Sequence, residues 1–187
     1  MKAASLFGVL AVAHTLMLVG HSVPMSPWAP VAYLWQDLVV ALVFGAIDHL
    51  IKRPRIEWTL YGILVLYCAI NVPITRVLSS PLTWTMMRAA RGPLSDSIRY
   101  YVSAQNIGAI VAVVVAAVVF PLVFHRMKFQ LRPPIVLAAI IVTALGPLAT
   151  AFVETSGRHR NAYGALLPAR VPGMATHSGS NWRTPVA

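Results

Sequence analysis

Five stretches of this chain are apolar for about 20 residues each, the length an α-helix needs to cross the roughly 30 Å hydrocarbon core of a bilayer. They cover 3–20, 28–50, 58–78, 101–124 and 134–153. Only 11% of the 187 residues are charged and 58% are hydrophobic, whereas a soluble domain carries roughly 25% charge. Too little charge is left to coat a water-soluble core, and the same shortage excludes a disordered chain. The expected fold class is therefore all-α: a polytopic membrane helix bundle of about five transmembrane helices over 1–153, followed by an extracytoplasmic tail or linker over 154–187.

The fourth run contains Val111-Ala112-Val113-Val114-Val115-Ala116-Ala117-Val118-Val119. In water so β-branched a segment would read as a buried strand, but its length favours a membrane helix. Pro121 and Gly146-Pro147 lie inside runs, so kinks are expected, with neighbouring helices satisfying the carbonyls that proline frees. The first run admits a second reading as a signal peptide, since Lys2 precedes it and Gly20-His21-Ser22 follows it. Its apolar region exceeds the 7–15 residues usual for such a peptide, which favours a retained helix.

The formal charge of +10 would point to nucleic acid in a soluble protein. Here the basic residues fall between apolar runs, where they set orientation. Lys2, Lys52, Arg53, Arg55, Arg126, Lys128 and Arg132 gather on one side, and the loop 22–27 on the other has no charge. This predicts a cell inner-membrane protein with a cytoplasmic N-terminus and an extracytoplasmic C-terminus. Arg76, Arg88, Arg91 and Arg99 then lie on the outer side. Trp28, Trp58 and Tyr100-Tyr101 stand at run ends, the headgroup level that such aromatics favour.

Ionisable groups inside a membrane are costly and mark functional sites by default. Asp37, beside Gln36, lies in the second run and His14 in the first. At about 1.5 Å per residue both sit roughly 12–15 Å below the outer boundary. Consecutive helices on a short loop are usually neighbours, so a His14–Asp37 hydrogen bond or ion pair is predicted. Asn71 and Asn106 fall at similar depth on runs three and four. Two roles fit this layer of His14, Asp37, Asn71 and Asn106. One is a polar cavity for a lipid substrate or a proton path. The other is interhelical hydrogen bonding, which averages about 0.6 kcal/mol per contact in membranes.

No catalytic residue emerges. The chain has no CxxC, HExxH, phosphate-binding glycine loop, GxSxG or paired-carboxylate signature. Asp48-His49 makes half a metal site at most and reads as an interfacial cap near Lys52 and Arg53. His125 and His159 are flanked by arginine, a poor setting for a cation. The single cysteine, Cys68, reads as a small buried apolar residue. No metal or cofactor is expected.

The outer loop from Ser80 to Pro93 places Leu82, Met86 and Ala89/Ala90 at helical spacing, with Trp84 and Arg88 available to headgroups. That is the pattern of a short interfacial helix, ended by Gly92-Pro93. Ser95 or Asp96 can cap the fourth run. Arg88, Arg91, Asp96 and Arg99 form a candidate outer face for anionic lipid headgroups or a docked domain. After Glu154 the chain is too poor in apolar periodicity to fold alone, apart from one possible turn at 162–167.

Arg91-Gly92-Pro93-Leu94-Ser95-Asp96-Ser97-Ile98, with His159-Arg160-Asn161 and Asn181-Trp182-Arg183, resembles the membrane region of alkaline-phosphatase-superfamily enzymes. Those include membrane-anchored sulfatases and lipoteichoic-acid-synthase-like transferases. The resemblance implies a five-helix anchor leading into an extracytoplasmic hydrolase domain. It supplies no catalytic residue, because the family's nucleophile and metal ligands belong to that soluble domain. A stand-alone accessory subunit binding other membrane proteins is the alternative. A small transporter using Asp37 is a third, although the two halves show no internal repeat. The expected partners are the bilayer, anionic headgroups, and a hydrolase domain or other membrane subunits.

Overall fold

The computed structural model describes residues 1–19, 26–78, 82, 103–127, 132–153 and 162–163. They form five helices and no strand among the described residues: α1 (Lys2–Leu18), α2 (Ala29–Ile51), α3 (Pro54–Leu78), α4 (Ala104–Arg126) and α5 (Pro133–Phe152). The all-α bundle expected from the apolar runs is present. Four helices, α2 to α5, are long and apolar enough to cross a membrane. Helix α1, at 17 residues, is shorter, about 26 Å at the α-helical rise.

Proline chemistry sets several helix starts. Pro30 stands in the first turn of α2, Pro54 opens α3, and Pro133-Pro134 open α5. At these positions the missing N–H costs nothing and the fixed φ is already helical. Helix α2 ends at Lys52, which turns left-handed at φ 48° and lets Pro54 begin α3 after two linking residues. The cap of α4 is Ser103, whose side chain accepts from the Asn106 N–H at 3.2 Å. Ser95 and Asp96, the caps expected from sequence, lie outside the described residues. The fourth helix starts at Ala104, three residues later than the apolar run.

Helix α1 is the hub, packing against α2, α3 and α4. Its Leu6, Val9, Leu10 and Ala13 are fully buried among Phe44, Val65, Cys68, Ala69, Val72, Val113 and Ala117. Gly45 of α2 lets that helix approach Ala3, where an added Cβ would come within 3.2 Å of the alanine methyl. Helix α5 packs only on α2, and no contact joins it to α4 among the described residues, although the two are consecutive. The α2–α5 seam carries a second, smaller core of Ala32, Tyr33, Ala149 and Val153. Gly146 lies directly under the Trp35 ring there.

The outward faces are apolar. Val111, Val115, Val118 and Leu122 of α4, and Leu137, Ile140, Ile141 and Leu148 of α5, are all exposed. A soluble protein does not present such continuous apolar helix faces to water. A membrane protein presents them to lipid, and the chain is read here as membrane-embedded.

Candidate functional site

Helices α1 and α2 bring His14 and Asp37 together, with Nδ1 to Oδ2 at 2.9 Å and only 3% and 2% of the side chains exposed. The imidazole nitrogen and the carboxylate oxygen share this one hydrogen bond across the two helices. Tyr33, one helical turn before Asp37, sets its ring edge-on to the imidazole with centroids 6.0 Å apart. Leu10, Met17, Cys68, Ala162 and Tyr163 complete the lining around the pair. The space left between them is too small for a water molecule. The site is a tightly enclosed polar contact that ties α1 to α2.

Part of the lining comes from beyond α5. Ala162 is buried and Tyr163 half-buried, both against α3. The Tyr163 hydroxyl donates to the Leu64 carbonyl. Tyr67 donates to the Ala162 carbonyl at 3.1 Å, and its ring lies 5.3 Å from that of Tyr163. Burial pushes the Tyr163 phenol well above its ordinary pKa, so it stays a proton donor.

Asn71 is not part of that lining. Its Nδ2 donates to the Tyr67 carbonyl at 2.8 Å, and its Oδ1 accepts from the Leu82 N–H at 2.7 Å. Asn106 falls in the first turn of α4, where its N–H meets the Ser103 cap. Within the expected layer, His14 and Asp37 bond to each other, Asn71 holds the Leu82 backbone, and the Asn106 N–H meets the helix cap. Arg88, Arg91, Asp96 and Arg99 lie outside the described residues.

At the opposite end of α1, Lys2 donates to Asp48 of α2 at 3.2 Å and also to Glu57 of α3. Its ammonium lies 5.8 Å from the centre of the Trp58 ring. Asp48 is thus committed to Lys2 rather than to a cap beside Lys52. No group of three or more metal-binding side chains occurs among the described residues.

Between the two ends, Ser5, Tyr61 and the Ala117 carbonyl form a buried relay. Tyr61 donates to that carbonyl at 3.0 Å, and Ser5 is 3.1 Å from the Tyr61 hydroxyl. A phenol has one proton, so Ser5 donates to Tyr61. Ala117 stands four residues before Pro121, which has no N–H to give its carbonyl. Tyr61 supplies the missing donor from a neighbouring helix.

No family model, curated protein or solved structure matches the chain. Its candidate site rests on geometry alone. Sequence reasoning passed over Ser5, Glu57, Tyr61, Tyr67 and Tyr163. For Glu57 a signal existed, because a poorly solvated acid at the same end of the bundle as Lys2 needs a cation. For Tyr61 the signal was Pro121, whose orphaned carbonyl needed a donor.

Proposed function

We propose that the chain is a multi-pass membrane anchor that is not itself catalytic, and that it holds an extracytoplasmic sulfatase- or phosphotransferase-like domain at the outer face of a cell inner membrane. The observation that carries this reading is the strapping of Ala162–Tyr163 to α3 by the Tyr163–Leu64 and Tyr67–Ala162 hydrogen bonds. An anchor must fix the direction in which the following polypeptide leaves the bundle, and a strapped exit does so. The buried polar groups support the same role. His14 with Asp37, Lys2 with Asp48 and Glu57, and Ser5 with Tyr61 all hold helices to one another. In this reading Arg88, Arg91 and Arg99 face anionic headgroups or the carried domain.

The test is made in the native host. Deleting the gene should remove a membrane-bound extracytoplasmic sulfatase or phosphotransferase activity, and the full chain should restore it. A reporter fused after Ala187 should be active only outside the cytoplasm. Unchanged membrane-bound activity after deletion, or a cytoplasmic reporter, would overturn the proposal.

A further inference from the structure

One end of the bundle is strongly basic, and the helix packing defines it. Lys2 of α1 meets Asp48 and Glu57 there, near the end of α2 and the start of α3. A Cβ on Gly8 would come within 3.2 Å of the Phe120 ring, and Tyr61 binds the Ala117 carbonyl, so α4 runs towards this end and finishes at Arg126. Trp28 stacks on Phe152 at the far end, so α5 starts back here, from Arg132. Lys52 and Arg53 link α2 to α3, and Arg55 stands in the first turn of α3. Lys52, Arg53, Arg55, Arg126 and Arg132 are all exposed. Arg76 is the one Lys or Arg at the other end among the described residues.

No described group neutralises these five cations. The described acids at this end, Asp48 and Glu57, are both committed to Lys2, and the sequence between Met127 and Arg132, Lys-Phe-Gln-Leu, adds no acid. Several of the cations also sit where the backbone does not favour them. Arg53 and Arg55 flank the start of α3 and Arg132 is the N-cap of α5, yet helix starts carry partial positive charge and favour acids. Lys52 is left-handed at φ 48°, a conformation that suits glycine. Compensation must therefore come from outside the chain. Leu50, Ile56, Trp58 and Met127 are exposed among the same cations, so the compensating partner meets hydrocarbon as well as positive charge. We propose that this end of the bundle is a binding surface for anionic phospholipid headgroups, whose acyl chains run along the exposed apolar helix faces. Soluble anions would match the charge and leave the apolar collar in water. The inference rests neither on the proposed anchor role nor on which side of the membrane this end faces.

Lipid competition tests it. The full chain is held in nonionic detergent micelles with equal amounts of dioleoylphosphatidylglycerol and dioleoylphosphatidylcholine, and native mass spectrometry reads the ratio of the two lipids bound. The anionic lipid should be bound in at least about fivefold excess, since each Lys or Arg near an anionic surface shifts binding by about that factor. Arg126→Gln combined with Arg132→Gln should lower the ratio about fivefold or more. Asp48→Asn acts in the opposite direction. It removes one of the two acids on Lys2 while leaving every cation in place, and it should raise the ratio by up to about fivefold. That variant keeps the test open should the double arginine change fail to fold. Circular dichroism and a single elution peak establish that each variant is folded. Equal binding of the two lipids by the native chain would leave these cations to an acidic protein and overturn the proposal, as would a ratio that either folded variant leaves unmoved.

Discussion

His14 of α1 and Asp37 of α2 meet at 2.9 Å in a space that excludes water. Two magnitudes bear on what this contact contributes. Interhelical hydrogen bonds in membranes average about 0.6 kcal/mol, whereas leaving a buried polar group without its partner costs about 1–3 kcal/mol. The second governs, because the surviving group has no water to turn to. His14→Leu should therefore destabilise the bundle by about 1–3 kcal/mol. Asp37→Asn keeps an acceptor for the imidazole and should cost about 1 kcal/mol or less. The double change to leucine at both positions should recover most of the loss. Equilibrium unfolding in mixed micelles measures all three, and equal losses from the two single changes would refute the ordering.

Gly146 tests the seam between α2 and α5. A Cβ at this position would lie 2.2 Å from Trp35 Cγ, with two further ring or Cβ atoms at 2.5 Å. Either the indole turns or the helices part. Gly146→Ala should cost about 1–3 kcal/mol, the usual range for overpacking. Since α5 packs on α2 alone among the described helices, the effect should appear as protease sensitivity at α5 while α1, α3 and α4 stay protected. Trp35→Ala in the same chain should relieve the clash, giving a strongly non-additive pair. Additive losses would place the indole elsewhere.

The N-terminal end of α1 is held by charge. Glu57 has a side chain 7% exposed, while Asp48 is 29% exposed, and both bind Lys2. Lys2→Met strips the ammonium from a nearly buried carboxylate, so its cost should exceed that of Asp48→Asn. The latter, a partly solvated partner, should stay within about 1 kcal/mol. Thermal unfolding of the two variants decides the order. A larger loss from Asp48→Asn would mean that Glu57 is solvated or paired by another group.

The helices were legible because an apolar run of bilayer length has few alternatives. His14 and Asp37 were legible for a related reason. An ionisable residue in such a run stands out, and a short loop makes its nearest counterpart on the next helix its natural partner. Asn106 falls in the first turn of α4, because the helix begins at Ala104, three residues after the apolar run does. Tyr163 was hidden in a segment without periodicity, since one aromatic turn docked on a distant helix leaves no local pattern. The side-by-side placement of α5 and α2 was equally hidden. Loop length argues for α4 as the neighbour, whereas the fit of Gly146 under Trp35 and the shared core of Ala32, Tyr33, Ala149 and Val153 join α5 to α2.

Tyr61 and Pro121 offer the sharpest test of the interior. The Ala117 carbonyl loses its helical donor to Pro121 and regains one from Tyr61 at 3.0 Å. In hydrocarbon an unsatisfied carbonyl has no water to accept from, so the two residues depend on each other. Tyr61→Phe should cost about 1–3 kcal/mol, the penalty for leaving a buried acceptor bare. Pro121→Ala restores an N–H four residues after Ala117, and the helix can then close its own bond. In that background Tyr61→Phe should cost clearly less, leaving mainly the loss of its contact with Ser5. A double-mutant cycle on unfolding free energy measures the coupling. Independent effects would show that the Ala117 carbonyl is satisfied by some other group, and that the hydroxyl of Tyr61 serves Ser5 alone.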